Sequence, residues 1–99
     1  MIKHIVLFQL KKDLPENEKQ DIMKQFKAGI MALPAVIPCI RHIEVGFNTN
    51  PDEGWDICLN SDFDSLDDVR SYSANPAHQA VSGALKPHLS GRSCVDYDC

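Results

Sequence analysis

Three side chains in this sequence have the chemistry to move protons on a carbonyl compound: His4, Tyr72 and His78. An imidazole titrates near neutral pH, so it can both take and return a proton, and a phenol can donate a hydrogen bond to a developing enolate. His78 follows Asn75-Pro76, a helix-start signature with asparagine as cap and proline at the first helical position. It is therefore expected in the first turn of a helix, where the positive end of the dipole disfavours imidazolium. There His78 would act as a base, with Tyr72 steadying the enolate. His4 is read from its neighbours. Ile2, His4, Val6, Phe8 and Leu10 alternate onto one strand face, and a polar ring on an apolar face needs a hydrogen-bond partner or a cavity. Structural duties compete with each role: a core histidine bonded to a backbone carbonyl, a tyrosine packed at a helix end, a histidine satisfying nearby backbone groups. Asp96 and Tyr97 are outer candidates.

The remaining reactive types are less telling. His42 beside Arg41 and His88 after Pro87 are expected in solvent. Histidines scattered singly have no metal-ligand spacing, so no metal is expected, although His4 and His78 are free to meet in space. Asp62, Asp64, Asp67 and Asp68 read as a solvated helix entrance, and Trp55 as a strand-edge packing residue. GxGxxG, P-loop, HExxH and GxSxG signatures are absent. No cofactor is expected. Cysteines at 39, 58, 94 and 99 form no CxxC pair, and with no export signal in view they read as reduced thiols.

Positioning those residues requires a set of elements. Residues 2–10, IKHIVLFQL, are rich in β-branched and aromatic types and predict a strand that is apolar on both faces at its centre. Pro15 with Glu16 and Glu18 starts a helix carried by Ile22, Phe26, Ile30 and Leu33 and closed at Leu33-Pro34. Residues 40–47 alternate again, residues 48–54 are rich in turn formers, and residues 55–63 predict a third strand. Ser65 with Asp68 resembles a capping box for a helix beginning at Leu66. Asn75-Pro76 interrupts that helix, which resumes through Val81 and Leu85 to Pro87, and residues 92–98 predict the last strand. The order β-α-β-β-α-β is the α+β solution of one antiparallel sheet with helices on one face, in ferredoxin-like topology. Its uncovered face would hold Ile5, Leu7 and Cys58 among Glu44 and Asn60. An apolar patch there points to a partner, most simply a second copy related by a two-fold axis.

Composition bounds the rest. Ninety-nine residues predict one domain, residues 1–99, with room for one core and little for a large enclosed chamber. The apolar fraction of 43% and charged fraction of 24% are those of a globular protein. A net charge of −4 and no basic run longer than Lys11-Lys12 argue against nucleic acid. No apolar stretch approaches a membrane span. A cytoplasmic homodimer is the expectation.

Taken in order, MIKHIVLF at the start, IEVGFN at 43–48, DFDSLDDVRSY at 62–72, NPAH at 75–78 and VDY at 95–97 resemble the stress-responsive A/B barrel (Dabb) family over nearly the whole chain. The resemblance implies a ferredoxin-like monomer whose sheet packs on a second copy to form a dimeric α/β barrel. It also implies that Tyr72, His78 and His4 match the tyrosine and histidines of a plant polyketide cyclase of the family, which closes its substrate by an aldol step without a cofactor. That enzyme's further histidine, on the third strand, falls at Ile57 here. The function expected is thus binding or conversion of a small carbonyl or polyketide-like molecule without cofactor. The alternatives are a non-catalytic stress-associated oligomer and a monooxygenase-like barrel enzyme.

Overall fold

A nine-residue strand, β1 (Ile2–Leu10), runs through the middle of the sheet. The computed structural model describes residues 1–99. After β1 come α1 (Glu16–Met31), a 3₁₀ turn (Leu33–Ala35), β2 (His42–Phe47), β3 (Ile57–Phe63), α2 (Leu66–Ala74), α3 (Pro76–Leu85), a second 3₁₀ turn (Lys86–His88) and β4 (Leu89–Asp98). The strands lie in the order β2-β3-β1-β4, each pair antiparallel. This is the ferredoxin-like α+β arrangement that the element order predicts. No helix is long and apolar enough to cross a membrane, and none of the four cysteines is in a disulfide.

Period-two alternation decides which face each residue joins. On β1, His4, Val6, Phe8 and Leu10 are buried under the helices, while Lys3, Ile5, Leu7 and Gln9 alternate with them and are half-buried. Helix α1 contributes Met23, Phe26 and Ile30 to the core, with Glu16 and Glu18 complementing its dipole. Pro15 serves as its N-cap, one position earlier than the first-turn place expected. Gly29 has a packing reason, because a Cβ there would lie 3.0 Å from a γ-methyl of Val81. A side chain at that position would require Val81 to give way by a few tenths of an ångström.

The predicted interrupted helix is two helices. Ser65 Oγ accepts from the Asp68 N–H at 3.2 Å and caps α2. Pro76 forces Asn75 into extended backbone (φ −64°, ψ 133°), which ends α2. The Asn75 side chain then accepts from the Ala77 N–H at 2.9 Å and starts α3. Strand boundaries also move. β4 begins at Leu89 rather than 92, and β3 begins at Ile57 rather than 55. At β3 the chain reaches the ladder with the Asp56 N–H bonded to the Phe8 carbonyl, while the Asp56 carboxylate accepts from the Leu10 N–H at 2.8 Å.

The other sheet face has no helix. Register places Val95 opposite Ile5 and Tyr97 opposite Lys3, so these β4 side chains join Ile5, Leu7 and Cys58 there. Val95 and Tyr97 are 53% and 46% exposed. A polar border surrounds the patch, with Lys3 Nζ 2.8 Å from Asp62 and Asn60 Nδ2–H donating to Glu44 at 3.2 Å.

Because the Asn75 cap sets where α3 begins, Asn75→Ala should lower the unfolding free energy by about 1 kcal/mol and Asn75→Gly by only a few tenths. Urea denaturation followed by circular dichroism measures both.

Candidate active site

His4 and Asp96 meet because β1 and β4 are paired with these two residues in register. The imidazole is buried, and its Nδ1–H donates to the Asp96 carboxylate. The core histidine therefore has a carboxylate partner rather than the backbone carbonyl weighed from sequence. Asp96, an outer candidate in the sequence, belongs to the site. Tyr97, the other, points to the opposite sheet face. On the far side of β1, Ser61 Oγ–H donates to the His4 carbonyl at 3.3 Å and fills the remaining polar position in the core.

Tyr72 is completely buried and packs edge-on or tilted against three rings, with centroids 5.0 Å from Phe63, 6.1 Å from His4 and 4.4 Å from His78. Its hydroxyl is a buried polar group with no hydrogen-bond partner. Burial alone pushes its pKa far above the usual phenol value, so the proton stays on. The half-buried His78 ring donates from Nδ1–H to the Ser73 carbonyl at 3.1 Å. A carbonyl only accepts, so Nδ1 carries the proton and Nε2 is left as an acceptor. Burial is the main cause holding the His78 pKa below its ordinary 6.5, with the charges of His4 and Arg92 adding to the effect and the Ser73 bond opposing it. The neutral ring expected from a helix dipole is thus produced mainly by desolvation.

His4 and His78 both line a cavity of about 290 Å³ between the sheet and α3. Val6, Phe8, Leu59, Leu85 and Leu89 give it apolar walls, and Ser73, Gln79, Ser82, Lys86 and Arg92 supply the polar ones. The volume is at the low end for small-molecule sites, roughly 300–1,000 Å³, as the short chain requires. Tyr72 is not on the wall. It stands behind His78. Ile57 is almost wholly buried in the core and does not line the cavity either. A second cavity, between α1 and α3, is lined by Phe26, Gly29 and Val81 with His88 at its edge. His88 is therefore half-buried, not solvated, whereas His42 is exposed as expected.

Sequence reasoning did not place Cys94, Lys86 or Arg92 in the site. Arg92, Cys94 and Asp96 alternate onto one face of β4, and that spacing was the available signal. Cys94 Sγ lies 3.7 Å from His4 Nδ1. With Asp96 these atoms form a nitrogen, sulfur and oxygen donor set within 4.8 Å of one another, suited by type to a borderline divalent cation. The Nδ1–H bond to Asp96 already engages two of the three donors, so a cation would have to displace that proton.

The model of the stress responsive A/B barrel domain matches residues 2–99. The chain belongs to that family. A solved structure from Bacteroides fragilis, described as a dimeric protein of ferredoxin-like fold, is 51% identical, superposes with a TM-score of 0.97, and is matched over 99% of this chain and 95% of that one. Olivetolic acid cyclase from Cannabis sativa is 24% identical over 99 residues, covering 97% of this chain and 94% of that protein. A hydroxynitrile lyase from Passiflora edulis shares the fold at 19% identity and a TM-score of 0.75, over 97% of this chain and 90% of that one.

Within this family frame two properties of the site are open to measurement. Removing the unpaired phenol oxygen should relieve a buried desolvation cost of about 1–3 kcal/mol, so Tyr72→Phe should be at least as stable as the parent in chemical denaturation. For His78 the folded pKa lies below the unfolded value, so the unfolded chain takes up the proton first. The stability His78 contributes is complete above pH 6.5 and is lost as the pH falls through the folded value. Thermal melts from pH 7 to pH 5 should fall less steeply in His78→Gln than in the parent.

Proposed function

We propose that this protein is a homodimer whose cavity binds a small carbonyl compound and enolises it with its own side chains, in the manner of a cofactor-free cyclase or isomerase. The observation that carries this reading is the pair of imidazoles lining one cavity, each with Nδ1–H tied to an acceptor: His4 to Asp96 and His78 to Ser73. Tying Nδ1 leaves Nε2 as the basic atom in both rings.

His78 is the base. Its Nε2 takes a proton from the carbon beside the carbonyl, the C–H electron pair forms a carbon–carbon double bond, and the carbonyl π pair moves to oxygen as an enolate. The imidazolium returns its proton to another carbon in an isomerisation. In a ring closure it protonates the alkoxide formed when the enolate carbon attacks a second carbonyl. A base held at the right place contributes on the order of 10²–10⁴-fold. His4, with its tautomer fixed by Asp96, orients the carbonyl or relays the proton. Tyr72 is a positioning residue: its ring backs His78 and leaves a protonated hydroxyl beside it. The similar olivetolic acid cyclase is named for a ring closure, and this supports the reading.

The dimer is proposed through the open sheet face. Ile5, Leu7, Val95 and Tyr97 form its apolar centre, and the similar Bacteroides protein is described as dimeric. A second reading, an assembly without chemistry, draws on the structural duties of the same residues: His78 caps the end of α2 through Ser73, and Tyr72 fills the core.

Deuterium exchange into the α-position of propiophenone, followed by NMR in D₂O, separates the two readings. The parent should accelerate exchange on the order of 100-fold or more over buffer, and His78→Gln should lose the acceleration while remaining folded by circular dichroism. Exchange at the buffer rate with the parent, or unchanged in His78→Gln, leaves only the assembly. Ile5→Glu should convert the dimer to a monomer in sedimentation velocity, with its helical circular dichroism retained. A parent that sediments as a monomer refutes the interface.

A further inference from the structure

We infer that the ligand of the His4–His78 cavity is an amphipathic carboxylate, its head held by Arg92 and Lys86 and its apolar body laid on Val6, Phe8 and Leu59. This deepens the proposed function by naming the substrate class, a keto acid, and for the position of its carbonyl it rests on that reading.

The charge pattern is the first argument. The chain has fourteen acidic and ten basic side chains, yet the cavity wall contains two cations and no carboxylate. Elsewhere Lys3, Lys19, Arg41 and Arg70 are each paired with an aspartate within 4 Å, and Lys11, Lys12, Lys24 and Lys27 are unpaired but lie away from this cavity. Arg92 and Lys86 are paired with none. Asp96, the acid nearest Arg92 along β4, already accepts from His4. Both residues are exposed at the cavity mouth, where a guanidinium presents a planar fork of donors matched to a carboxylate, and such charge-assisted bonds are about twice as strong as neutral ones.

Placement is the second. Arg92 is in register with Phe8, and Asp96 with His4. Four residues along a strand separate the two pairs by about 13 Å between Cα atoms. Lys86 reaches the same end of the cavity from the 3₁₀ turn that delivers the chain into β4. Lys86 therefore stands at the end away from the histidines, and the Arg92 side chain reaches back toward them, since it also lines the neighbouring groove with His4, Cys94 and Asp96. A carboxylate seated at the cations puts a ketone a few carbons away beside the imidazoles. The charge of Arg92 is also felt at His78, where it helps keep the ring unprotonated.

Calorimetric titration with benzoylacetate, its ethyl ester and phenylphosphonate tests the assignment on the whole protein. Benzoylacetate should bind roughly 10- to 100-fold more tightly than the ester, and the advantage should shrink as salt is raised. Arg92→Met with Lys86→Met should bring acid and ester to equal affinity, while Arg92→Lys keeps part of the advantage. Equal affinity for acid and ester, binding of neither, or tighter binding of phenylphosphonate than of benzoylacetate overturns the carboxylate assignment. Propiophenone exchange reports separately on the base. Tight acid binding without exchange would sink the enolisation and keep the anion site, and exchange with equal acid and ester affinity would do the reverse.

Discussion

The bond between His4 and Asp96 is the constraint from which the site follows. An imidazole under the helices of a small α+β protein is costly unless both its nitrogens are served. Asp96 serves Nδ1 from β4, an edge strand whose side chains are otherwise largely exposed. That bond links β1 to β4 on the helix-covered face. It also sets the chemistry of the ring. With Nδ1 as donor, Nε2 is the acceptor, and the cavity beside His4 takes the place of a second protein partner. The open volume is thus tied to the polar residue that lines it.

The break between α2 and α3 does the same for His78. A continuous helix from Leu66 to Leu85 would extend about 30 Å, beyond the roughly 23 Å of the seven-residue β3 on which α2 packs. Pro76 prevents it, and the ended helix leaves carbonyls without partners. Ser73 is one of them. His78 Nδ1–H and the Gln79 amide, at 2.6 Å, both donate to it from the first turn of α3. Capping and the proposed base chemistry are therefore compatible roles for His78. The cap is what fixes the tautomer that a base requires.

Much of this was legible from residue types because it depends on short periods. Alternation along β1 placed His4 on the helix face, and Asn75-Pro76 placed His78 in a first turn. The paired faces of Ile5, Leu7 and Cys58 followed from the same alternation. What was not legible depends on register between strands distant in sequence. Asp96 could be named as a candidate, but its meeting with His4 needs the β1–β4 pairing. Arg92 and Lys86 were not seen because the chain was expected to enter its last strand at 92. Leu89 and Ser90 in fact extend it, with the Ser90 hydroxyl bonding back to Leu10 across the shift in register between Gln9 and Leu10. Tyr72 was placed beside His78 correctly, but its position behind the cavity wall depends on how α2 packs on Phe63, and no local pattern encodes that.

The proposed assembly and the proposed chemistry share β1 at alternate residues. Ile5 and Leu7 face the proposed partner, while His4 and Val6 face the cavity. A strand at the centre of a sheet cannot shift on one face without shifting on the other, since a one-residue slip exchanges the two sets. In the monomer, β1 is held by its ladders and by the helices alone. Covering Ile5 and Leu7 adds a second packed surface against the same backbone, and packed interiors yield little to displacement. The dimer would then do more than hide apolar surface: it would hold His4 at a fixed depth in the wall opposite His78. The described residues place no second layer behind β1 on its open face. In the proposed dimer a second copy supplies that layer.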